Sequence, residues 1–268
     1  MMGRFEDRFA SLRREGRKAF MPFVTACDPS PAAAAEIVLA LEKAGADAVE
    51  LGFAYSDPIA DGPVIQNSYA SVLRAGFTVE DAFDVARTVR SRSQIPLAGM
   101  VSYSIAWKRS PAEFARDAAS SGIDALIIPD LPPEESDEMR RAAGSAGLGL
   151  VFLVTPTTRP ERVKVIAEAS RPFIYYVSVV GTTGARSQLP PELASGVARV
   201  KSLTSTPVVV GFGVSNPEQA SAVARIADGV IVGSAIVEVV TANRNSPQKS
   251  LLDAVSAYSA PLAAAVHT

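Results

Sequence analysis

Two acidic side chains have the placement that proton-transfer chemistry requires. Glu50 lies within the apolar run at residues 48–51, where a carboxylate would be partly removed from water. Loss of hydration disfavours the charged form and raises the pKa toward neutrality. Asp61 follows in a segment punctuated by proline and glycine, where we expect it to be more solvated and ionised. Two carboxyl groups in unlike environments can divide acid–base and electrostatic roles.

Each of these carboxylates also has a purely structural interpretation. Glu50 could be a buried carboxylate paired with a lysine or arginine, an arrangement about as common as catalysis when position in the fold is ignored. Its place near the carboxyl end of a predicted strand favours catalysis. Asp57 and Asp61 could simply form turns beside Pro58 and Gly62, and for Asp57 we favour that interpretation.

A second group of residues could bind a phosphate through the backbone. Backbone N–H groups at glycine-rich turns and at a helix N-terminus hold an anion without lysine or arginine. Such turns follow three predicted strands, at Gly181-Thr182-Thr183-Gly184, at Gly211-Phe212-Gly213 and at Gly233-Ser234. Each glycine alone is a weak signal, because glycine also serves tight turns. Their order predicts a phosphate site of the kind shared by isomerases, aldolases and epimerases.

The composition excludes several other classes of function. The 268 residues include 26 basic and 28 acidic side chains, so neither nucleic acid nor anionic lipid is an expected partner. Cys27 and His267 are the only residues of their types, which excludes an internal disulfide, a serine–histidine triad and a multi-histidine metal site. We expect no metal, although Mg²⁺ could in principle be held by Glu50, Asp57, Asp61 and Asp130. No signal peptide or membrane span is found, which predicts a cytoplasmic protein.

The elements that must position these residues alternate along the chain. Short runs rich in Val, Ile, Leu and Phe predict parallel strands covered on both faces, at residues 20–25, 48–51, 96–103, 125–128, 148–154, 173–178, 207–212 and 229–232. Segments between them predict helices at residues 31–44, 79–92, 111–121, 134–146, 160–170, 191–203 and 216–226. Eight strand–helix units predict an α/β fold, a (β/α)₈ TIM barrel that forms one domain over residues 1–268.

Segments outside this repeat complete the predicted architecture. An extra amphipathic helix at residues 6–15 could cap the bottom of the barrel, and a last helical stretch covers residues 247–265. Extended loops follow strand two, at residues 53–77, and strand six, at residues 179–189. Long loops at the carboxyl ends of barrel strands usually serve the active site, so we expect the site there.

Four segments of the chain resemble the α subunit of tryptophan synthase, and together they span essentially its whole length. They are MPFVT at residues 21–25, ELG at 50–52 continuing to SDPIADGPVIQ at 56–66, GTTGAR at 181–186, and GFG at 211–213 with GSAIV at 233–237. The second segment is highly specific to that family. The others are weaker alone, and their order adds weight.

The resemblance implies a lyase of tryptophan biosynthesis that cleaves indole-3-glycerol phosphate by a retro-aldol reaction, giving indole and glyceraldehyde 3-phosphate. It implies that Glu50 transfers the protons. Asp61 would accept a hydrogen bond from the indole N–H and stabilise the positive charge that develops there. Tyr175 would line the site, and Thr183 in loop six would close over the substrate, meet Asp61 and exclude water.

The same resemblance assigns the phosphate and the indole ring to named residues. The phosphate would lie on the backbone of Gly184, Gly213, Gly233 and Ser234. The indole pocket would be walled by Phe23, Ile65, Tyr103 and Phe212, for each of which plain core packing is an alternative.

A partner and its cofactor also follow from the resemblance. The family pairs with a β subunit that carries pyridoxal phosphate, in an αββα heterotetramer, while this chain shows no cofactor motif of its own. Ala54 and Ile105 depart from the family pattern near the expected contact, where proline and asparagine are common. They favour a second hypothesis, a stand-alone lyase that releases free indole. A third is a catalytically silent barrel that acts as an interaction partner, against which Glu50 and Asp61 argue.

Overall fold

A parallel sheet that closes into a barrel forms the centre of the molecule. The computed structural model describes residues 3–58, 61–177, 191–211 and 213–268. Its strands are β1 (Ala19–Thr25), β2 (Val49–Gly52), β3 (Leu97–Met100), β4 (Ala125–Ile127), β5 (Gly149–Val151), β6 (Leu153–Val154), β7 (Ile174–Val177), β8 (Val208–Gly211) and β9 (Gly229–Val232). Their order in the sheet is β5-β4-β3-β2-β1-β9-β8-β7-β6. Because β5 and β6 follow each other directly in the chain, the two edges of the sheet meet, which confirms the predicted barrel.

Helices surround this sheet on its outer face. They are α1 (Arg4–Arg14), α2 (Pro31–Lys43), α3 (Pro63–Arg74), α4 (Val79–Arg90), α5 (Tyr103–Arg109), α6 (Pro111–Ser121), α7 (Asp137–Ala146), α8 (Pro160–Ala169), α9 (Leu193–Lys201), α10 (Pro217–Ala224), α11 (Ser234–Asn243) and α12 (Gln248–His267). Several begin at proline, whose missing N–H costs nothing in a first turn. Thr78 caps α4, since its hydroxyl accepts a hydrogen bond from the Asp81 N–H at 3.3 Å. In the described part of the chain, we find no helix with the length and apolar character needed to cross a bilayer.

The strands bury side chains on both of their faces. Alternate residues point outward to the helices or inward to the barrel, because successive side chains of a strand lie on opposite faces. The inner layer contains small and branched residues such as Ala48, Ala98, Ile127 and Val209. Its lower part is covered by α1, where the ring of Phe5 lies 5.7 Å from that of Phe173. The predicted extra N-terminal helix is therefore present and closes one end of the barrel.

A buried aspartate fixes the same end of the barrel. Asp47 is 1% exposed, and its carboxylate accepts a hydrogen bond from the Phe20 N–H at 2.7 Å. It is also paired with Arg8 of α1 at 2.5 Å and with His267 of α12 at 2.8 Å. Hydrogen bonds to a buried carboxylate offset its loss of hydration. The first and last helices are thus joined to the sheet, and the opposite end remains for the site.

Four details of the predicted architecture need correction or fall outside the described chain. The strand predicted at residues 148–154 is interrupted at Phe152, which separates β5 from β6. The strand predicted to reach Tyr103 ends at Met100, and Tyr103 instead begins α5. The predicted long loop after β2, at residues 53–77, contains the 12-residue helix α3. The predicted loop at residues 179–189 lies outside the described residues.

Candidate active site

Glu50 lies inside the barrel with an unpaired carboxyl group. Glu50 is the second residue of β2, opposite Phe23 of β1 and Ala98 of β3, and it is only 1% exposed. Neither carboxyl oxygen has a hydrogen-bond partner among the described residues, so no lysine or arginine of that part of the chain pairs with Glu50. Burial raises the pKa of Glu50 to about 8, and the nearby carboxyl group of Asp61 adds to the rise. The group is protonated at neutral pH and can donate a proton.

Asp61 is buried, contrary to our expectation of a solvated carboxylate. Asp61 is 8% exposed, and burial raises the pKa of its carboxyl group to about 6. An interaction with the Tyr55 hydroxyl lowers that pKa and so opposes part of the rise. The cause is the path of the chain around it. The Asp61 N–H donates to the Pro58 carbonyl at 3.0 Å, and the Gln66 amide donates to the Asp61 carbonyl at 2.8 Å. This turn is held against α3, so its acidic side chain is covered.

Asp57, in the same turn, is exposed to solvent. It precedes Pro58, whose carbonyl accepts hydrogen bonds from the Asp61 N–H and from the Gln66 amide. An exposed aspartate beside a proline is typical of a turn. The position therefore agrees with the structural interpretation that we favoured for Asp57, and it separates Asp57 from the buried carboxyl pair.

Tyr175 faces the same enclosed space from the opposite side of the barrel. It lies on β7 and is 7% exposed. Burial raises the pKa of its hydroxyl well above the usual value, and the charges of Glu50 and Asp61 contribute. Its ring passes over Gly211 of β8, where an added Cβ would lie only 2.3 Å from the Tyr175 hydroxyl oxygen. Glycine at the end of β8 is what allows this tyrosine to reach the carboxyl pair.

Phe23 and Ile65 come together beside the start of α11. Phe23 lies on β1 and Ile65 on α3, and both are buried. A Cβ added at Gly233 would lie 3.7 Å from the Phe23 Cβ and 3.9 Å from the Ile65 Cδ1. Two predicted wall residues and one predicted phosphate residue are therefore neighbours, as a ligand with an apolar ring and an anionic end would require.

Tyr103 has a different setting from the one we predicted. Instead of ending a strand, it opens α5, where its N–H donates to the Asp130 carboxylate at 2.8 Å. Its ring is 6.0 Å from that of Trp107, and the residue is only half-buried. The wrong boundary has a physical cause, since Val101 and Ser102 continue the buried run beyond Met100, the last residue of β3.

The start of α11 has the geometry of an anion site. Gly233 is the N-cap and Ser234 the first helical residue, so the first N–H groups point away from the helix body. Gly213 has a φ of 81°, a left-handed conformation that glycine adopts at little cost. The other predicted contacts in this region, Thr183, Gly184 and Phe212, lie outside the described residues.

A buried polar cluster holds α3 and α11 in place around the site. Asp28, which follows β1, is 1% exposed and pairs with Arg244, at the end of α11, at 2.5 Å. The Ser68 hydroxyl donates to the same carboxylate from α3, and Arg244 also donates to the Ser71 hydroxyl at 2.9 Å. Because α3 carries Ile65 and α11 carries the predicted phosphate contacts, this cluster sets their spacing.

Two tyrosines of the site were missed by our sequence reasoning. Tyr69 of α3 is fully buried, and Tyr55 packs against it with the two rings 5.6 Å apart. A helical signal was available, since Ile65, Tyr69 and Val72 repeat at the spacing of one helix face after Gly62 and a proline. We had taken the proline and glycine as marks of a loop.

Known proteins resemble this chain over nearly its full length. A family model described as tryptophan synthase alpha chain matches residues 9–267. A tryptophan synthase alpha chain from Geobacter sp. (strain M21) is 48% identical over 237 residues, covering 88% of this chain and 89% of that protein. The chain belongs to the tryptophan synthase alpha chain family. The match confirms the resemblance that we drew from the four sequence segments.

Solved structures of the tryptophan synthase alpha chain family share the whole barrel. The crystal structure of tryptophan synthase subunit alpha from Legionella pneumophila str. Paris has a TM-score of 0.92 at 32% identity, covering 99% of each chain. A structure of Mycobacterium tuberculosis tryptophan synthase has a TM-score of 0.90 at 36% identity, covering 100% of each chain. The fold and the family therefore agree.

Proposed function

We propose that Glu50 and Asp61 carry out the cleavage of indole-3-glycerol phosphate in this tryptophan synthase alpha chain. The chain is a lyase of tryptophan biosynthesis, since it belongs to that family along nearly its full length. One observation gives the strongest support to the assignment of these two residues. A fully buried carboxyl group, with neither oxygen engaged among the described residues, faces a second carboxyl group inside the barrel.

The proposed reaction uses Glu50 first as an acid and then as a base. Protonated Glu50 gives its proton to the indole carbon that bears the glycerol chain, and the ring nitrogen becomes positively charged. The Asp61 carboxylate accepts the hydrogen bond of that N–H and stabilises the charge. Glu50 then removes the proton of the adjacent hydroxyl. The carbon–carbon bond breaks, its electron pair returns to the ring, and indole and glyceraldehyde 3-phosphate are released.

This sequence of steps predicts the pH dependence of the reaction. It needs Asp61 ionised and Glu50 protonated, and their pKa values are raised to about 6 and about 8. We therefore expect kcat/KM for the cleavage to have a bell-shaped profile with its maximum between those two values. A rate that rises steadily through pH 8 would contradict the role of Glu50 as the initial acid.

The remaining predicted contacts place the substrate. Phe23 and Ile65 would pack on the indole ring, and Tyr175 would border the reacting carbon. The phosphate would lie on the N–H groups at Gly233 and Ser234, with Gly213, Gly184, Thr183 and Phe212 completing the enclosure. Phe23, Ile65 and Gly233 are close neighbours, which supports one ligand spanning ring pocket and helix start.

Substitution of the two carboxyl groups tests this proposal. We expect Glu50→Gln and Asp61→Asn to lower indole formation by roughly 10²–10⁴-fold, the usual contribution of acid–base groups. Binding of glyceraldehyde 3-phosphate, which needs neither group, should persist. Glu161→Gln, the same change at an exposed position of α8, is the matched control. Near-normal turnover in Glu50→Gln would overturn the mechanism.

The partner of the chain is the β subunit of tryptophan synthase, which carries the pyridoxal phosphate, while the alpha chain family has no cofactor of its own. We propose the αββα arrangement. Trp107 of α5 is the only tryptophan and is 61% exposed, so its fluorescence should change on docking if α5 lies at the contact. Added β subunit should co-elute with the chain and accelerate cleavage. The absence of both co-elution and acceleration would indicate the stand-alone lyase, which the residues Ala54 and Ile105 had suggested.

We also propose that the chain works in the cytoplasm. The single cysteine is buried and unpaired, as is usual in a reducing compartment. Fractionation of the source cells, with indole formation measured in each fraction, tests this proposal. Activity confined to a membrane or secreted fraction would contradict it.

A further inference from the structure

Tyr69 has a buried hydroxyl group that the proposed reaction does not use. The residue lies on α3 and is fully buried, and its hydroxyl has no hydrogen-bond partner among the described residues. A buried polar group without a partner costs free energy, so its presence needs an explanation. Phenylalanine would fill the same space without that cost.

The hydroxyl of Tyr69 is directed at the active site. A Cβ added at Gly52, at the end of β2, would lie 2.6 Å from the Tyr69 hydroxyl oxygen and 2.3 Å from the Phe23 Cζ. Glycine at position 52 therefore leaves room for both side chains to reach the inner end of the strand. The ring of Tyr69 also packs against Tyr55, whose hydroxyl interacts with the Asp61 carboxyl group.

The groups that face Asp61 include donors and a second acid. They are Glu50 of β2, Tyr55 of the following turn, Tyr69 of α3 and Tyr175 of β7. Among the described residues, no lysine or arginine contributes to the electrostatics of Asp61. An ionised carboxylate in such surroundings is stabilised only by hydrogen-bond donors, and hydroxyl groups are the donors that these tyrosines offer.

We propose that Tyr69 is a positioning residue for Asp61. Its hydroxyl donates to the ionised Asp61 carboxylate, directly or through one water, and with Tyr55 it aims that carboxylate at the indole N–H. This inference rests on the proposed role of Asp61. Donation to the carboxylate would satisfy the unpaired hydroxyl, and the donor would favour the ionised state that the reaction needs.

Tyr69→Phe tests the proposal, with Tyr176→Phe as a matched control. Tyr176 is likewise fully buried with an unpartnered hydroxyl, but it lies against Gly196 of α9, away from the carboxyl pair. Loss of a donor raises the pKa of a carboxyl group, so the acidic limb of the kcat/KM profile should move to higher pH by about half a unit or more in Tyr69→Phe. The rate at pH 6 should fall several-fold, and the control should match the parent chain.

The outcomes distinguish a failure of the role of Tyr69 from a failure of the proposed role of Asp61. An unshifted acidic limb in Tyr69→Phe, together with an inactive Asp61→Asn, would overturn the role of Tyr69 alone. Full activity of Asp61→Asn would overturn both roles. Tyr69→Leu also lacks the hydroxyl and should show the same shift, so it replaces the phenylalanine variant if that one does not fold. An equal shift in Tyr176→Phe would show that any buried hydroxyl has this effect, and would also refute the assignment.

Discussion

Glutamine at position 50 should change how the stability of the folded chain depends on pH. In the folded chain the pKa of Glu50 is raised from 4.5 to about 8 because the carboxyl group is fully buried. The folded state therefore keeps its proton over a pH range in which the unfolded chain has lost it. The resulting stabilisation is fully present below pH 4.5 and is lost as pH rises through about 8.

The size of this effect follows from proton linkage. Each pKa unit corresponds to about 1.4 kcal/mol, so a shift from 4.5 to about 8 amounts to roughly 5 kcal/mol as an upper figure. Glutamine does not titrate, but its buried amide has a cost of its own that is independent of pH. The slope of the unfolding free energy against pH is therefore the quantity to compare between the two chains. Relative to Glu50→Gln, the parent chain should lose up to about 1.4 kcal/mol of unfolding free energy per pH unit.

Urea unfolding at a series of pH values measures this slope. Circular dichroism and tryptophan fluorescence should give coincident transitions, so that one free energy of unfolding is defined. Subtracting the curve of Glu50→Gln from that of the parent chain removes the titration of all shared groups. Glu161→Gln controls for loss of a carboxylate from the surface. Parallel curves for the parent chain and Glu50→Gln between pH 5 and 8 would refute a buried, protonated Glu50.

Two further substitutions test the packing around the site, and Gly144→Ala in α7 is a control away from it. Gly211→Ala places a Cβ 2.3 Å from the Tyr175 hydroxyl oxygen, so we expect weaker ligand binding and about ten-fold slower indole formation. Gly144→Ala in α7, with open space around it, should instead stabilise the folded chain by about 0.5–1 kcal/mol. Unchanged kinetics in Gly211→Ala would argue against the contact with Tyr175. Arg244→Ala leaves the buried Asp28 carboxylate without its cationic partner and with only the Ser68 hydroxyl as a donor, so thermal unfolding should show a loss of about 3–5 kcal/mol. An unchanged melting temperature would contradict the ion pair.

The sequence predicted the barrel and the burial of Glu50 for the same physical reason. Parallel strands covered on both faces appear as continuous apolar runs, and a carboxylate within such a run must enter the interior. The N-terminal helix was also predictable, because its apolar face needs a partner. Phe5 of that helix meets Phe173 at the closed end of the barrel.

Other features depend on contacts that sequence periodicity does not contain. We expected Asp61 to lie on a solvated loop, but the Gln66 amide holds its turn against α3 and so buries it. At the break between β5 and β6, the Phe152 N–H donates to the Ser170 hydroxyl at 3.0 Å and not to a neighbouring strand. Tyr69 was missed because α3 begins at the Gly62-Pro63 step, which also marks turns.

The proposed mechanism depends on Glu50 holding a proton at neutral pH, and carboxyl titration by ¹³C NMR measures this directly. With glutamate labelled at the side-chain carboxyl carbon, the signal absent from Glu50→Gln identifies the group. We predict a protonated carboxyl group at pH 7 that titrates near pH 8, as its burial beside Asp61 requires. A signal already ionised at pH 7, with a midpoint near the ordinary glutamate value, would contradict the proposed acid.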